Sequence, residues 1–399
     1  MTIATGRLRI PAIDALRGLV MIIMALDHVR EFFHAGAMSQ SPTDLLTTTP
    51  MLFFTRWVTH FCAPVFVFVA GMSASLWLSQ PERTKAQLSR FLWTRGLWLL
   101  LVEVSVMRVA FDFSFDSGFP VLLITLWALG GSMMVLAALV HLPVRILGIL
   151  SGAVILLHNC LDGVRATQLG SLSWVWNLIH QPGAIVTAGP VIVVGYPLVP
   201  WIALMAMGYC FGHRVRVDPV GWQRVALWTG LGLMVAFVVL RALNVYGDPV
   251  PWGVQGSIPF TVLSFLNCTK YPASLDFLLM TLGPALIGLV WLNRLRMRAD
   301  HPFLVFGRAP FFYYVVHFFW AHLLAVLMAA LRFGQDSKPF LSRAFPSMGG
   351  PKALFPADFG YDLWVVYVVW AFVIITMYPV CRWFVGVKDR RRDWWLSYL

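Results

Sequence analysis

Residues 14–34 read DALRGLVMIIMALDHVREFFH, and the fold turns on this stretch. It is an apolar run of membrane-spanning length with charges where a bilayer would reject them. Asp14 and Arg17 stand at its start, and Asp27, His28, Arg30 and Glu31 near its far end. On a helix, eleven positions bring Arg17 and His28 back to within about 20° of one face. Asp14, Met21, Met24 and Glu31 fall near the same stripe. Ionisable groups inside a span usually face the bundle interior or a wet cavity, which makes the stripe a candidate functional face. Each end taken alone also has an interfacial reading, Asp14 with Arg17 as a local pair at one headgroup level and Asp27 to Glu31 as the helix end.

Composition widens the membrane reading to the whole chain. Its 399 residues are 59% hydrophobic and only 12% charged, with mean hydropathy +0.74. A soluble domain carries about twice that charged fraction. The first apolar run is not expected to be a cleaved leader, since it holds acidic residues and more spans follow. The net charge of +12 fits cytoplasmic loops enriched in Lys and Arg, and no nucleic-acid partner is expected. Cys62, Cys160, Cys210, Cys268 and Cys381 show no CxxC and no ligand spacing, so no metal site is expected. One bridge between outward-facing cysteines stays open.

The expected architecture is all-α and polytopic, with about ten transmembrane helices in a single domain over 1–399. The spans are read at 12–33, 57–78, 91–110, 119–140, 146–161, 194–212, 225–243, 276–292, 303–331 and 362–385. The basic start (Arg7, Arg9) and the tail VKDRRRDWWLSYL place both termini in the cytoplasm, as does the surplus of Lys and Arg in the inner loops. Outer loops 162–193, 244–275 and 332–361 would shape an acceptor site. Pro64, Pro197, Pro200, Pro284 and Pro310 within spans suggest kinked helices around a cavity.

In this topology Arg17 lies near the inner face and His28 about 16 Å higher, at 1.5 Å per residue. His60, on the descending second span, shares the outer half. The ninth segment, GRAPFFYYVVHFFWAHLL, places Arg308 low, Tyr313 and Tyr314 one turn below His317, and His322 above. Basic groups low and histidines high would suit a site that takes an anionic donor from the cytoplasm and reacts it further up. A carboxylate beside an imidazole fixes its tautomer and raises its basicity. Glu31, one turn on, is the better-placed partner for His28, with Asp27 pairing Arg30. Glu103 and Arg108 read as a pair within the third span. Walker A, GxGxxG, HExxH and GxSxG patterns are absent.

Arginine, ten residues, then histidine in the first helix resembles the motif of the acyltransferase-3 family. The opening IDALRGLVMIIMALDHVREFFH looks like bacterial relatives of heparan-alpha-glucosaminide N-acetyltransferase, and so do YPLVPWIALMAMGYCFG, CTKYPASLDFLLMTLGPAL and FGRAPFFYYVVHFFWAHLL. The resemblance implies a transmembrane acyltransferase fold in a bacterial inner membrane. It implies acetyl transfer from cytoplasmic acetyl-CoA, with no tightly bound cofactor, to an outer-face acceptor, often a sugar or another hydroxyl or amine. By position, His28 takes the place of the motif's catalytic histidine and Arg17 that of its arginine. The lysosomal enzyme instead has asparagine at the His28 position and its catalytic histidine in the following loop, to which only His34 or His60 could correspond, with gaps.

On this reading His28 is general base or acetyl carrier, with Asp27 and Glu31 beside it. Arg17, helped by Arg95 or Arg308, holds CoA phosphates. Tyr313 or His317 donates to the thioester oxygen. Two other classes compete: a transporter or flippase without covalent chemistry, and a haem or quinone protein using His28, His60, His317 and His322. A second copy of the chain is left open as a partner.

Overall fold

The computed structural model describes residues 10–114, 118–186, 189–391 and 393–398. Arg7 and Arg9 and part of the turn after Phe111 lie outside the described residues. At the centre stands α1 (Pro11–Phe33). Pro11 suits the first helical position, where its fixed φ is right and its missing N–H costs nothing. It is also the one fully exposed residue of the helix. The charged stripe therefore does not look out at lipid.

The other helices follow in chain order. First come α2 (Pro50–Trp57) and α3 (Cys62–Trp77), joined by one 3-10 turn, then α4 (Lys85–Val102) and α5 (Arg108–Phe111), joined by a π turn. Next are α6 (Thr125–Leu139), α7 (Val144–Leu157), α8 (Ser173–Ile179) and α9 (Leu198–Val217). The last are α10 (Trp222–Leu243), α11 (Ile258–Leu266), α12 (Leu275–Arg294), α13 (Pro302–Arg308), α14 (Pro310–Phe333) and α15 (Leu363–Arg390). Helices α3, α12, α13, α14 and α15 surround α1. Exposed apolar side chains such as Ile149 and Leu157 on α7, Val235 and Val239 on α10, and Phe372 and Ile375 on α15 clothe the outside. That is the surface a lipid-embedded bundle presents.

Helix makes up 71% of the structure and strand 3%, in keeping with an all-α architecture. Each of the ten predicted segments contains a helix. Six helices among the described residues are long and apolar enough to cross a membrane. Helix α1 is not one of them, because its charges lower its hydropathy.

Several boundaries differ from the sequence reading. The second segment starts at Pro50, where the Thr49 hydroxyl accepts from the Leu52 N–H at 3.3 Å and caps the helix. The ninth divides at Pro310, which has no N–H to carry the ladder through. The fourth begins at Thr125, because residues 121–123 form a strand, β1. It pairs in parallel with β3 (Ile192–Val194), which pairs antiparallel with β2 (Gly183–Ile185). The expected Glu103–Arg108 pair is replaced by two loop anchors. Glu103 accepts from the Ile124 N–H at 2.8 Å, and Arg108 donates to the Phe119 carbonyl at 2.8 Å. All five cysteines are free.

Glycines set how closely the central helices approach. A Cβ on Gly18 would lie 1.8 Å from the Phe303 carbonyl oxygen, and one on Gly307 1.7 Å from that of Asp14, so α1 and α13 meet backbone to backbone. Gly71 and Gly208 do the same for α3 and α9, at 2.0 Å from the Met205 oxygen and 2.1 Å from the Phe68 oxygen. Small residues at such crossings are the usual route to tight packing in lipid. Gly208→Leu is expected to destabilise the bundle by about 3 kcal/mol or more, read as loss of the monodisperse peak in detergent. An unchanged elution profile and melting point would contradict this packing.

Candidate active site

Met24, Asp27, His28 and Glu31 on α1 line a cavity of about 210 Å³. Its other walls include Arg56 and Thr59 from the α2–α3 segment, Phe111, Tyr196, Lys270 and Tyr271. Inside it the helical spacing is realised as pairs. His28 Nδ1 lies 3.2 Å from Glu31 Oε2. A ring nitrogen facing a carboxylate carries its proton there, which leaves Nε2 as the basic nitrogen. Asp27 accepts from Arg30 at 3.0 and 3.3 Å and from Arg56 on the neighbouring helix. Asp27 therefore holds two guanidinium groups in place, and Glu31 orients the imidazole.

His317 from α14 lies behind His28, with ring centroids 5.4 Å apart. Its Nδ1–H donates to the Tyr313 carbonyl at 2.7 Å, and its ring stacks on Tyr313 at 4.7 Å. Its Nε2 is thus a lone pair, buried and without a protein partner. The expectation that His317 donates to a thioester oxygen is corrected: in this tautomer its one proton is already committed. The Tyr313 hydroxyl is also buried without a partner, but Tyr313 does not line the cavity. His322 donates to the Ala110 carbonyl at 2.7 Å and packs between Phe113 and Phe32.

A second cavity of about 440 Å³ adjoins the first. Glu31, Arg56, Lys270, Tyr271 and Ser347 line both and form a partition between them. His60 lines this second cavity. His34 lines neither, for it ends α1 in a main-chain bridge to Tyr361. The loop that carries Lys270 and Tyr271 is fixed from behind by Asp248. Its carboxylate accepts from Thr269 N–H at 2.7 Å and from the Thr269 and Ser274 hydroxyls at 2.8 and 2.7 Å. Desolvation raises the Tyr271 phenol, but the charges of Lys270 and Arg56 outweigh it and hold the group below the ordinary tyrosine range. With 38% of Tyr271 exposed, solvent screens part of that effect.

At the other end of α1, Arg17 donates to the Gly307 carbonyl at 3.1 Å and to the Ser73 hydroxyl at 2.9 Å. Arg308 pairs with Asp389. Arg95 lies 5.9 Å over the Phe91 ring, and the charges of Arg17, Arg95 and Arg308 all act on Lys388. Beside this cluster the parallel rings of Trp77 and Phe91, 6.1 Å apart, line an open pocket with Arg83, Arg90 and Tyr398. The expectation of one chamber joining Arg17 to His28 is not met. Met24 is the lowest α1 residue on the His28 cavity, because the Gly18–Gly307 crossing closes the helices below it.

The sequence model of the heparan-alpha-glucosaminide N-acetyltransferase catalytic family matches residues 9–246. This chain belongs to that family. No curated protein matches it. Family membership implies an acetyltransferase, and with the six apolar helices it makes the chain an integral multi-pass membrane protein. The matched region holds the whole α1 constellation, Arg56 and Tyr196. The acetyltransferase's Lys270, Tyr271, His317 and Ser347 lie beyond it.

Three wall residues were not singled out from the sequence. Arg56 falls in a segment read as an amphipathic turn before the second span, so its depth was missed. Lys270 and Tyr271 sit in an outer loop where Lys and Tyr are unremarkable. A clue lay in Asp27, a buried carboxylate that needs more than one partner. Asp27→Ala would leave Arg30 and Arg56 buried without a counter-charge. A loss of about 3–5 kcal/mol is expected, seen as a lowered thermal midpoint and partly recovered by adding Arg56→Met. An unaltered midpoint would show that the triad contributes nothing.

Proposed function

We propose that this membrane acetyltransferase moves the acetyl group of acetyl-CoA to a hydroxyl or amine of a sugar-like acceptor. The observation that carries this reading is the His28–Glu31 pair on the wall of an internal cavity, in a chain of this family. The donor enters from the cytoplasm at the Arg17 end and the acceptor from the outer side, through the cavity lined by His60. Ten spans with both termini inside a bacterial cytoplasmic membrane give the arrangement this polarity.

The acceptor O–H or N–H meets His28 Nε2, which takes its proton as the oxygen or nitrogen attacks the thioester carbon. Glu31 stabilises the imidazolium that forms. Negative charge growing on the carbonyl oxygen is met by Arg56 and the Tyr271 hydroxyl on the same wall, in place of the Tyr313 or His317 donor expected earlier. Collapse of the tetrahedral adduct breaks the C–S bond, and the imidazolium returns the proton to the CoA thiolate. A two-step course through acetyl-His28 uses the same groups.

The nucleotide of the donor fits the Arg17 end. The Trp77–Phe91 slot offers faces for a purine, and Arg83, Arg90 and Arg95 offer charge for phosphates. Arg17 and Arg308 extend that charge toward the bundle interior. The arm that carries the thioester reaches His28 when α1 and α13 part above Gly18.

His28→Ala in proteoliposomes with labelled acetyl-CoA should lower transfer by about 10²–10⁴-fold while the melting point holds. Glu31→Gln should lower it less, through the misoriented imidazole. Near-normal turnover by the His28 variant refutes the assignment. A His28-dependent solute flux with no label transferred would replace acetylation with transport.

A further inference from the structure

The partition between the two cavities carries an unbalanced charge. Two carboxylates face three permanent cations there. Asp27 is taken up by Arg30 and Arg56, and Glu31 by His28 and Arg30. Among the described residues Lys270 has no ion pair. Its ammonium lies 5.3 Å from the Tyr271 ring and 5.8 Å from the Tyr196 ring. Half-buried and facing two aromatic faces, it has given up part of its hydration without gaining a counter-ion, which leaves it poised for an anion.

Its position selects which molecule supplies that anion. Lys270 lines both cavities, so a group held there can sit in the outer one while a neighbouring atom reaches His28. The outer cavity is large enough for a sugar ring, and Gln40, Ser41, Thr43 and Ser347 on its walls suit a hydroxyl-rich ligand. The loop that presents Lys270 is clamped by Asp248, so the charge is fixed in space.

We propose that Lys270 holds an acidic group of the acceptor, a carboxylate, phosphate or sulfate on a hydroxyl-rich ring, and so makes this enzyme selective for anionic acceptors. This rests on the reading above that the acceptor enters through the outer cavity. The contact would be a charge-assisted hydrogen bond from the ammonium to the acid, made before any covalent step.

The test reads binding without acetyl-CoA, so it stands whether or not transfer is observed. Glucose, glucuronate and glucose 6-phosphate are titrated by calorimetry into purified wild type, Lys270→Met and Lys270→Arg in nanodiscs. In wild type the two acids should bind about tenfold or more tighter than glucose. The advantage should vanish in Lys270→Met, persist in Lys270→Arg and weaken with added salt. Equal binding of glucose and the acids overturns the proposal, as does an advantage that survives Lys270→Met, or no binding by any of the three. Where transfer is measurable, a higher KM for acetyl-CoA in Lys270→Met would assign the ammonium to the donor and also overturn it. Unchanged melting points across the three proteins exclude misfolding as the cause.

Discussion

A buried carboxylate clasped by two guanidinium groups is the constraint around which this bundle is arranged. Asp27, Arg30 and Arg56 are too costly to leave apart in an apolar interior. Helix α1 can carry Asp27 and Arg30 at its centre only because the α2–α3 segment brings Arg56 to meet them. That contact fixes the α2–α3 segment against α1 at the height of His28. The imidazole, held by Glu31, then faces a cavity whose far wall is the Lys270–Tyr271 loop.

Close backbone contact completes the frame. Glycines at the α1–α13 and α3–α9 crossings let the inner helices approach until carbonyl oxygens would clash with any added Cβ. This draws Arg17 into bonds with α3 and with the Gly307 carbonyl at one end of α1. The other end stays wide enough for two cavities. The same helix is thus dense where it is small and open where it is charged, which is how one element serves both packing and chemistry.

Much of this was legible in the sequence. The apolar segments gave the helices, and the i, i+3 spacing of Asp27 with Arg30 and of His28 with Glu31 gave the two local pairs. What the sequence concealed depends on contacts far apart in the chain. Arg56 joins Asp27 across 29 positions, and Lys270 meets the His28 cavity from an outer loop whose residues have no periodicity to betray them. The stripe was read as facing one continuous chamber because helical geometry says which residues share a face, but not where a neighbouring backbone will close against it. His317 looked like a proton donor until the Tyr313 carbonyl claimed its Nδ1–H.

The Gly18–Gly307 crossing also bears on what else can pass through the bundle. A closure built of main chain against main chain offers ions no side-chain stepping stones and leaves water no thread to follow. In the resting state the two mouths are therefore insulated from each other. An enzyme handling reactants from opposite compartments can in this way sit in an energised membrane without short-circuiting it.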